Sequence, residues 1–203
     1  TGNRLIAKLS SGDELLPKAT AGLLLSIEPG FAPYINFSAG KPAGFDAVIA
    51  TGSNNSSRYF EYYFKHIPHI IRKNRNSVAV LSGDESDAEL QALGYDVFNY
   101  FGLGCRNVSK LYLPQDFKLS RLFEAWESWQ QPLLQHTRYL NNFEYNLAIK
   151  LVNREAHFTN NFVILTENEA LSSPVSVLHF SRYHDASSLT AVLQAQSNDI
   201  QCV

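Results

Sequence analysis

Short apolar runs alternate along this chain with longer stretches whose apolar positions recur every three or four residues. That alternation predicts strands and amphipathic helices in turn. Residues 4–9 (RLIAKL) read as a strand, and Asp13 is placed to cap a helix through residue 25, with Leu15, Leu16, Ala19, Leu23 and Leu24 on one face. Glu28-Pro29-Gly30 breaks that pattern. Residues 34–37 (YINF) and 46–50 (DAVIA) predict further strands, then residues 58–65 a helix and 77–81 (SVAVL) a fourth strand. Beyond a polar break, residues 87–100 look helical and run into the glycine-bearing loop FGLGCRN. Strands over 108–113, 162–165 and 175–180 then alternate with helices over 116–130, 145–153 and 185–194. Strand–helix alternation of this kind predicts an α/β fold with a parallel sheet. The boundary is expected near residues 83–86, dividing a nucleotide-type portion, 1–83, from a second lobe, 84–203.

Composition narrows the class. The 203 residues are 45% hydrophobic, 18% charged and 12% aromatic, which excludes a disordered chain. A net charge of -2 argues against an extended nucleic-acid-binding surface. No run of apolar residues is long enough for a membrane span, and the first residues lack a signal-peptide layout. Two widely separated cysteines form no disulfide framework, so a reducing, cytoplasmic setting is expected. Methionine is absent, initiator included, which suggests a piece of a longer protein.

Three segments could carry chemistry. Cys105 sits in Gly102-Leu103-Gly104-Cys105-Arg106-Asn107, where glycines permit a tight turn and Arg106 would favour a thiolate. The same residues also describe a buried loop cysteine, and Cys202 reads as structural or terminal. Thr51-Gly52-Ser53, followed by Asn54-Asn55-Ser56-Ser57, lies between a strand and a helix, as a phosphate site or an ordinary capping loop would. Lys8, ending a strand before Ser10 and Ser11, could reach a ribose or phosphate or could simply be solvated. His66 and His69 lack metal-ligand partners at helical spacing, so no metal site is expected. His136 reads as a surface residue, and Glu167 and Glu169 as loop carboxylates or ribose ligands.

In order, these segments resemble the aldehyde dehydrogenase superfamily, and within it the LuxC-type fatty-acyl-CoA reductases. Gly2-Asn3 followed by Lys8-Leu9-Ser10-Ser11 is similar to the superfamily's GN…KPSE segment, and Ala50-Thr51-Gly52-Ser53 to its FTGS turn. Gly104-Cys105 with the strand ending Tyr112-Leu113-Pro114 is similar to the nucleophile loop and the strand after it. Leu171-Ser172-Ser173-Pro174-Val175 resembles the E-x-F-G-P-V element. The resemblance implies an aldehyde dehydrogenase-like α/β fold, with a parallel-sheet nucleotide-binding lobe and an α/β catalytic lobe. It implies Cys105 as a nucleophile toward an acyl-CoA or other acyl thioester. Lys8, Ser10, Ser11, Thr51, Gly52 and Ser53 would lie on a nicotinamide, with Glu169 as a substitute ribose ligand. The oxyanion-holding asparagine of the family would belong to a segment before residue 1.

Departures from the family pattern sharpen the expectation. Val80, in Ala79-Val80-Leu81-Ser82-Gly83, takes the place of the glutamate that activates water in hydrolytic members, which favours a reductase. Ser11 replaces a glutamate common in NAD-preferring members, which favours NADPH (NADP as the oxidised form). The family's habits add a homo-oligomer and an acyl-supplying enzyme partner as expectations. Two other readings stay open: a cysteine acyltransferase or thioesterase that uses no nicotinamide, and a non-catalytic CoA- or nucleotide-binding fragment.

Overall fold

The computed structural model describes residues 2–10, 12–52 and 54–203. The chain divides into two compact units, Thr1–Lys73 and Asn74–Val203. The first unit is built from two successive β-α-β turns. Strand β1 (Leu5–Lys8) leads through helix α1 (Leu15–Ile27) and a 3-10 turn at Pro29–Tyr34 to β2 (Ile35–Ser38), which pairs with β1 in parallel. Strand β3 (Val48–Thr51) leads through α2 (Asn54–Phe64) to β4 (His69–Arg72), again in parallel. The two pairs form separate ladders.

Asp13 does not cap α1. It bridges Ser10 in a tight turn, and Glu14 at the N-cap forms an ion pair with Lys18 at 2.8 Å without capping any backbone N–H. The helix stops where expected, because Pro29 has no N–H to continue it and Glu28 turns its carboxylate onto Gly30 N at 2.9 Å. The leucine face of α1 stays exposed, Leu15 at 86%. Helix α2 begins four residues before the expected start, and β4, which follows Pro68 and is flanked by basic residues, is a strand that the sequence pattern does not predict.

The second unit carries a six-stranded sheet of order β10-β5-β6-β9-β8-β7. Its strands are β5 (Asn76–Val80), β6 (Val108–Pro114), β7 (Phe158–Thr159), β8 (Ile164–Glu167), β9 (Val177–Tyr183) and β10 (Ile200–Cys202). All neighbours are parallel except β7 and β8. Strand β5, expected to close the nucleotide-type portion, instead pairs with β6 and β10 and belongs to this unit. The division therefore falls at Lys73–Asn74 rather than at residues 83–86.

One sheet face, with Leu111, Leu113, Leu165, Leu178 and Phe180, packs against α3 (Asp87–Phe98) and α4 (Ser120–Ala125). Trp126 is completely buried there and donates its indole N–H to the Leu90 carbonyl at 2.8 Å. Anchoring Trp126 this way interrupts the single helix expected over 116–130. The chain forms α4, a short 3-10 turn at Glu127–Trp129 and then α5 (Gln130–Leu134). Helix α3 opens with a capping box, Ser86 and Glu89 each satisfying the other's backbone N–H. Helix α6 (Thr137–Asn153) starts eight residues early because His136 Nδ1 caps it through Tyr139 N at 3.3 Å. On the opposite sheet face, Val78, Tyr112 and Ile200 pack with Leu189 of α7 (Ala186–Ala195), which Asp185 caps. Among the described residues no helix is long and apolar enough to cross a membrane.

Candidate active site

Cys105 lies on the tip of a turn between α3 and β6. The turn is reached through Tyr100 (φ 53°), Phe101 (φ 59°) and Gly102 (φ 72°), three consecutive left-handed residues. Only Gly102 adopts that backbone without steric cost. Phe101 is held by stacking on His136, ring centroids 3.8 Å apart. Asn107 then fixes the tip. Its Oδ1 accepts from Gly104 N at 2.8 Å, its Nδ2 donates to the Asp96 carbonyl at 2.9 Å, and its backbone N–H donates to the Gly104 carbonyl at 3.0 Å. A Cβ at position 104 would stand 2.6 Å from Asn107 Oδ1, so the turn requires glycine there. Cys105 and Arg106 are left exposed, which answers the alternative of a buried loop cysteine. The Cys105 carbonyl accepts from Ser77 Oγ of β5 at 3.1 Å.

The Leu171–Val175 segment comes beside this turn in the same unit. Phe101, Gly102, Val108, Ser109, Ser173 and Pro174 are among the residues around a small cavity of about 30 Å³, room for about one water. Ser109 Oγ donates to the Leu171 carbonyl at 2.7 Å and holds the segment on the sheet. Just before it, exposed Glu169 accepts from Ser181 Oγ at 3.0 Å. Lys110, fully buried at mid-strand, donates from Nζ to both the Asn168 carbonyl and Ser181 Oγ. Burial pushes the Lys110 ammonium below its usual range, against the opposing pull of the Glu169 and Glu167 carboxylates. Nothing local marks this polar group, because a lysine alternating with apolar residues along VSKLYL describes a solvated strand face. Asn107 was visible only as a loop residue, although an asparagine closing a glycine turn is a recognisable side-chain-to-backbone signal.

The remaining candidates lie in the first unit. Lys8 ends β1 opposite Ser38, exposed, and Ser10 follows in the turn whose Oγ accepts from Gly12 N at 3.3 Å. Thr51 ends β3, exposed, and Gly52 N donates to the Arg72 carbonyl at 3.3 Å. A Cβ on Gly52 would come within 2.9 Å of Ser56 Cβ and 3.1 Å of the Phe60 ring, so the strand end and the first turns of α2 approach closely only with glycine. Ser11 and Ser53 lie outside the described residues. Lys8 and Ser10 stand at the end of the β1-β2 ladder, and Thr51 and Gly52 at the end of the separate β3-β4 ladder.

Asp84 and Glu85 are the first acids after Val80, and the Glu85 carboxylate turns back onto the intervening loop. It accepts from Ser82 N at 2.5 Å, Ser82 Oγ at 2.9 Å and Gly83 N at 3.0 Å. Burial raises its proton affinity, but the donors from Ser82 and Gly83 outweigh this and leave the carboxyl below its usual range. His69 Nδ1 contacts the Ile67 carbonyl at 2.9 Å. Among the described residues no three His, Cys, Asp or Glu side chains gather to hold a metal.

No protein-family model matches the sequence, nor does any curated protein. Among solved structures, the chain is similar to the indole-3-acetaldehyde dehydrogenase AldA of P. syringae in complex with NAD+ and IAA. The TM-score is 0.72 at 16% identity, covering 94% of this chain and 48% of that one. The substrate-bound AldH of Staphylococcus aureus gives a TM-score of 0.64 at 15% identity, over 96% of this chain and 50% of that one. Proline utilization A (PutA) of Bradyrhizobium japonicum gives 0.69 at 15% identity, over 98% of this chain and 24% of that one. The chain thus has part of the aldehyde dehydrogenase fold and spans about half the length of the dehydrogenases it matches.

Proposed function

We propose that this chain is the cofactor-binding and nucleophile-bearing portion of an NADPH-dependent acyl-CoA reductase. The observation that carries the reading is the exposed Cys105 on an amide-stapled, glycine-dependent turn, within an aldehyde dehydrogenase fold. In this reading the Cys105 thiolate attacks the carbonyl carbon of an acyl thioester. The carbon–sulfur bond to CoA breaks, CoA leaves as a thiolate, and Cys105 keeps the acyl group. Lys8 and Thr51 bind the phosphates and ribose of a nicotinamide, Gly52 sets the close strand–helix approach beside them, and Ser10 with the neighbouring Ser11 and Ser53 completes the set. A nicotinamide, when bound, supplies the hydride that reduces the acyl carbon. Cys105 then departs as thiolate while the thiohemiacetal collapses to aldehyde.

Val80 in place of an acid supports reduction over hydrolysis. Glu85 is no substitute base, since its oxygens accept from Ser82 and Gly83 and its proton affinity is low. Glu169 is the weaker ribose candidate, exposed but tied to Ser181. Long-chain acyl groups as substrate, and an acyl-supplying enzyme as partner, belong to this proposal.

Incubation with a radiolabelled acyl-CoA tests it. Covalent label is expected on the chain, lost in Cys105→Ser and kept in Cys202→Ser; equal labelling of both variants sinks the reading. NADPH fluorescence titration separates the rivals. Binding weakened by Lys8→Ala is expected, whereas acyl labelling with no nicotinamide binding at all points to an acyltransferase or thioesterase.

A further inference from the structure

Both thiols of the chain are free and exposed, and one buried hydroxyl joins the backbone of Cys105 to the thiol of Cys202. Cys202 on β10 is the register partner of Ser77 on β5, and its Sγ lies 2.9 Å from Ser77 Oγ. The same Oγ donates to the Cys105 carbonyl at 3.1 Å. A serine hydroxyl has one proton; with that proton on the Cys105 carbonyl, the thiol of Cys202 is the donor in the second contact. Ser77 itself is buried at 1% exposure, so this bridge is a fixed part of the sheet, not a surface encounter.

We propose that Cys105 and Cys202 form a reversible disulfide, with Cys202 as the resolving thiol and a hydroperoxide as the oxidant. A disulfide needs its two Cα atoms about 4.4–6.8 Å apart. In this pairing the movement falls to the Cys202 side, because Asn107 holds the Cys105 turn. Cys105 stands on an exposed tip beside Gly104, and β10 is an edge strand whose register with β5 shifts between Ile200 and Cys202.

The chemistry balances in two steps. The Cys105 thiolate attacks one peroxide oxygen, the O–O bond breaks, and the other oxygen leaves with a proton as alcohol or, from hydrogen peroxide, as water. This gives Cys105 sulfenic acid. The Cys202 thiolate then attacks the Cys105 sulfur; the S–S bond forms, the S–O bond breaks, and hydroxide leaves as water with the proton Cys202 gave up. Two thiols are oxidised by two electrons and one hydroperoxide is reduced. The pairing does not depend on the role proposed for Cys105, but its consequence, a masked nucleophile, rests on that reading.

The test is peptide mapping of the whole chain, without reductant, after brief exposure to equimolar hydrogen peroxide. The expected product is a monomer lighter by two hydrogens, containing a peptide that links Cys105 to Cys202 and disappears with dithiothreitol. Cys202→Ser should instead accumulate Cys105 sulfenic acid, trapped by dimedone, and Ser77→Ala should slow the cross-link while both thiols remain. A dimedone adduct of equal yield in the parent and Cys202→Ser, with no linked peptide, overturns the proposal. So does a linkage found only between two chains. Acyl labelling separates the two proposals: label abolished by peroxide and restored by dithiothreitol supports both. A chain that cross-links yet never takes label leaves the disulfide standing and removes the reductase reading.

Discussion

Two buried polar residues of the second unit, His179 and Asn107, have consequences that can be measured. His179 is buried opposite Lys110 on the sheet, with Nδ1 on the Ala170 carbonyl at 2.9 Å. Burial pushes its imidazole below 6.5; the Ala170 contact opposes this, and the Lys110 and Lys150 ammonium groups add to the downward push. Below that unfolded value the unfolded chain binds a proton that the folded chain resists, so stability falls as pH drops from 6.5 toward the folded value. Urea midpoints measured at about pH 7 and about pH 5.5 should therefore differ, and His179→Asn should narrow the difference. An unchanged difference would place the acid sensitivity elsewhere. Asn107→Ala removes two hydrogen bonds from the Cys105 turn and should cost about 1–3 kcal/mol in urea unfolding, with slower acyl labelling of Cys105. The identity of Cys105 as the reactive candidate was legible in its glycine-flanked loop. Its exposure was not, because that depends on Asn107 reaching back to the carbonyl of Asp96.

At the scale of elements, local chemistry announced the breaks better than the starts. Pro29 and Gly30 end α1 where the sequence says they should, and Asp185 caps α7 as its position suggests. The starts of α2 and α6 lie upstream of the expected ones, since Asn54-Asn55 and Thr137-Arg138 carry little apolar periodicity. His136 as the cap of α6 is an unusual choice that gains from its stacking on Phe101. Helix 116–130 was read as continuous because its periodicity is continuous; the anchor of Trp126 on the Leu90 carbonyl is a tertiary constraint with no local sign. In the proposed reading, Gly52 is the element junction that borders the cofactor. Gly52→Ala would drive its new methyl into Ser56 and Phe60, and the helix must shift to admit it. Weaker NADPH binding in fluorescence titration, with acyl labelling of Cys105 retained, is the expected outcome. Binding equal to the parent would remove this junction from the cofactor site.

For the molecule as a whole, alternation of strands and helices correctly conveyed an α/β fold with parallel pairing. It could not convey that β5 pairs with β6 and β10, since sheet order is a long-range property and β10 is only three residues long. All partners of β5 lie within Asn74–Val203, so this unit holds its own core and its own sheet. Residues 74–203 expressed alone should unfold in one cooperative transition by circular dichroism and near-UV absorbance. A broad, non-cooperative melt would show that the first unit is needed for its stability.

The order β10-β5 has a topological corollary. Asn76 and Ile200 are register partners, and Asn76 N donates to the Asp199 carbonyl at 2.9 Å, so the first and last strands of this unit start side by side. A path that begins and finishes at one place can be cut elsewhere and rejoined there. A short linker from residue 203 to residue 74, with new termini opened in an exposed connection such as 155–156, would give a circular permutant with the same neighbours in the sheet. A permutant that folds with the same sheet order would show that the adjacency of β5 and β10, rather than the direction of entry, organises this sheet.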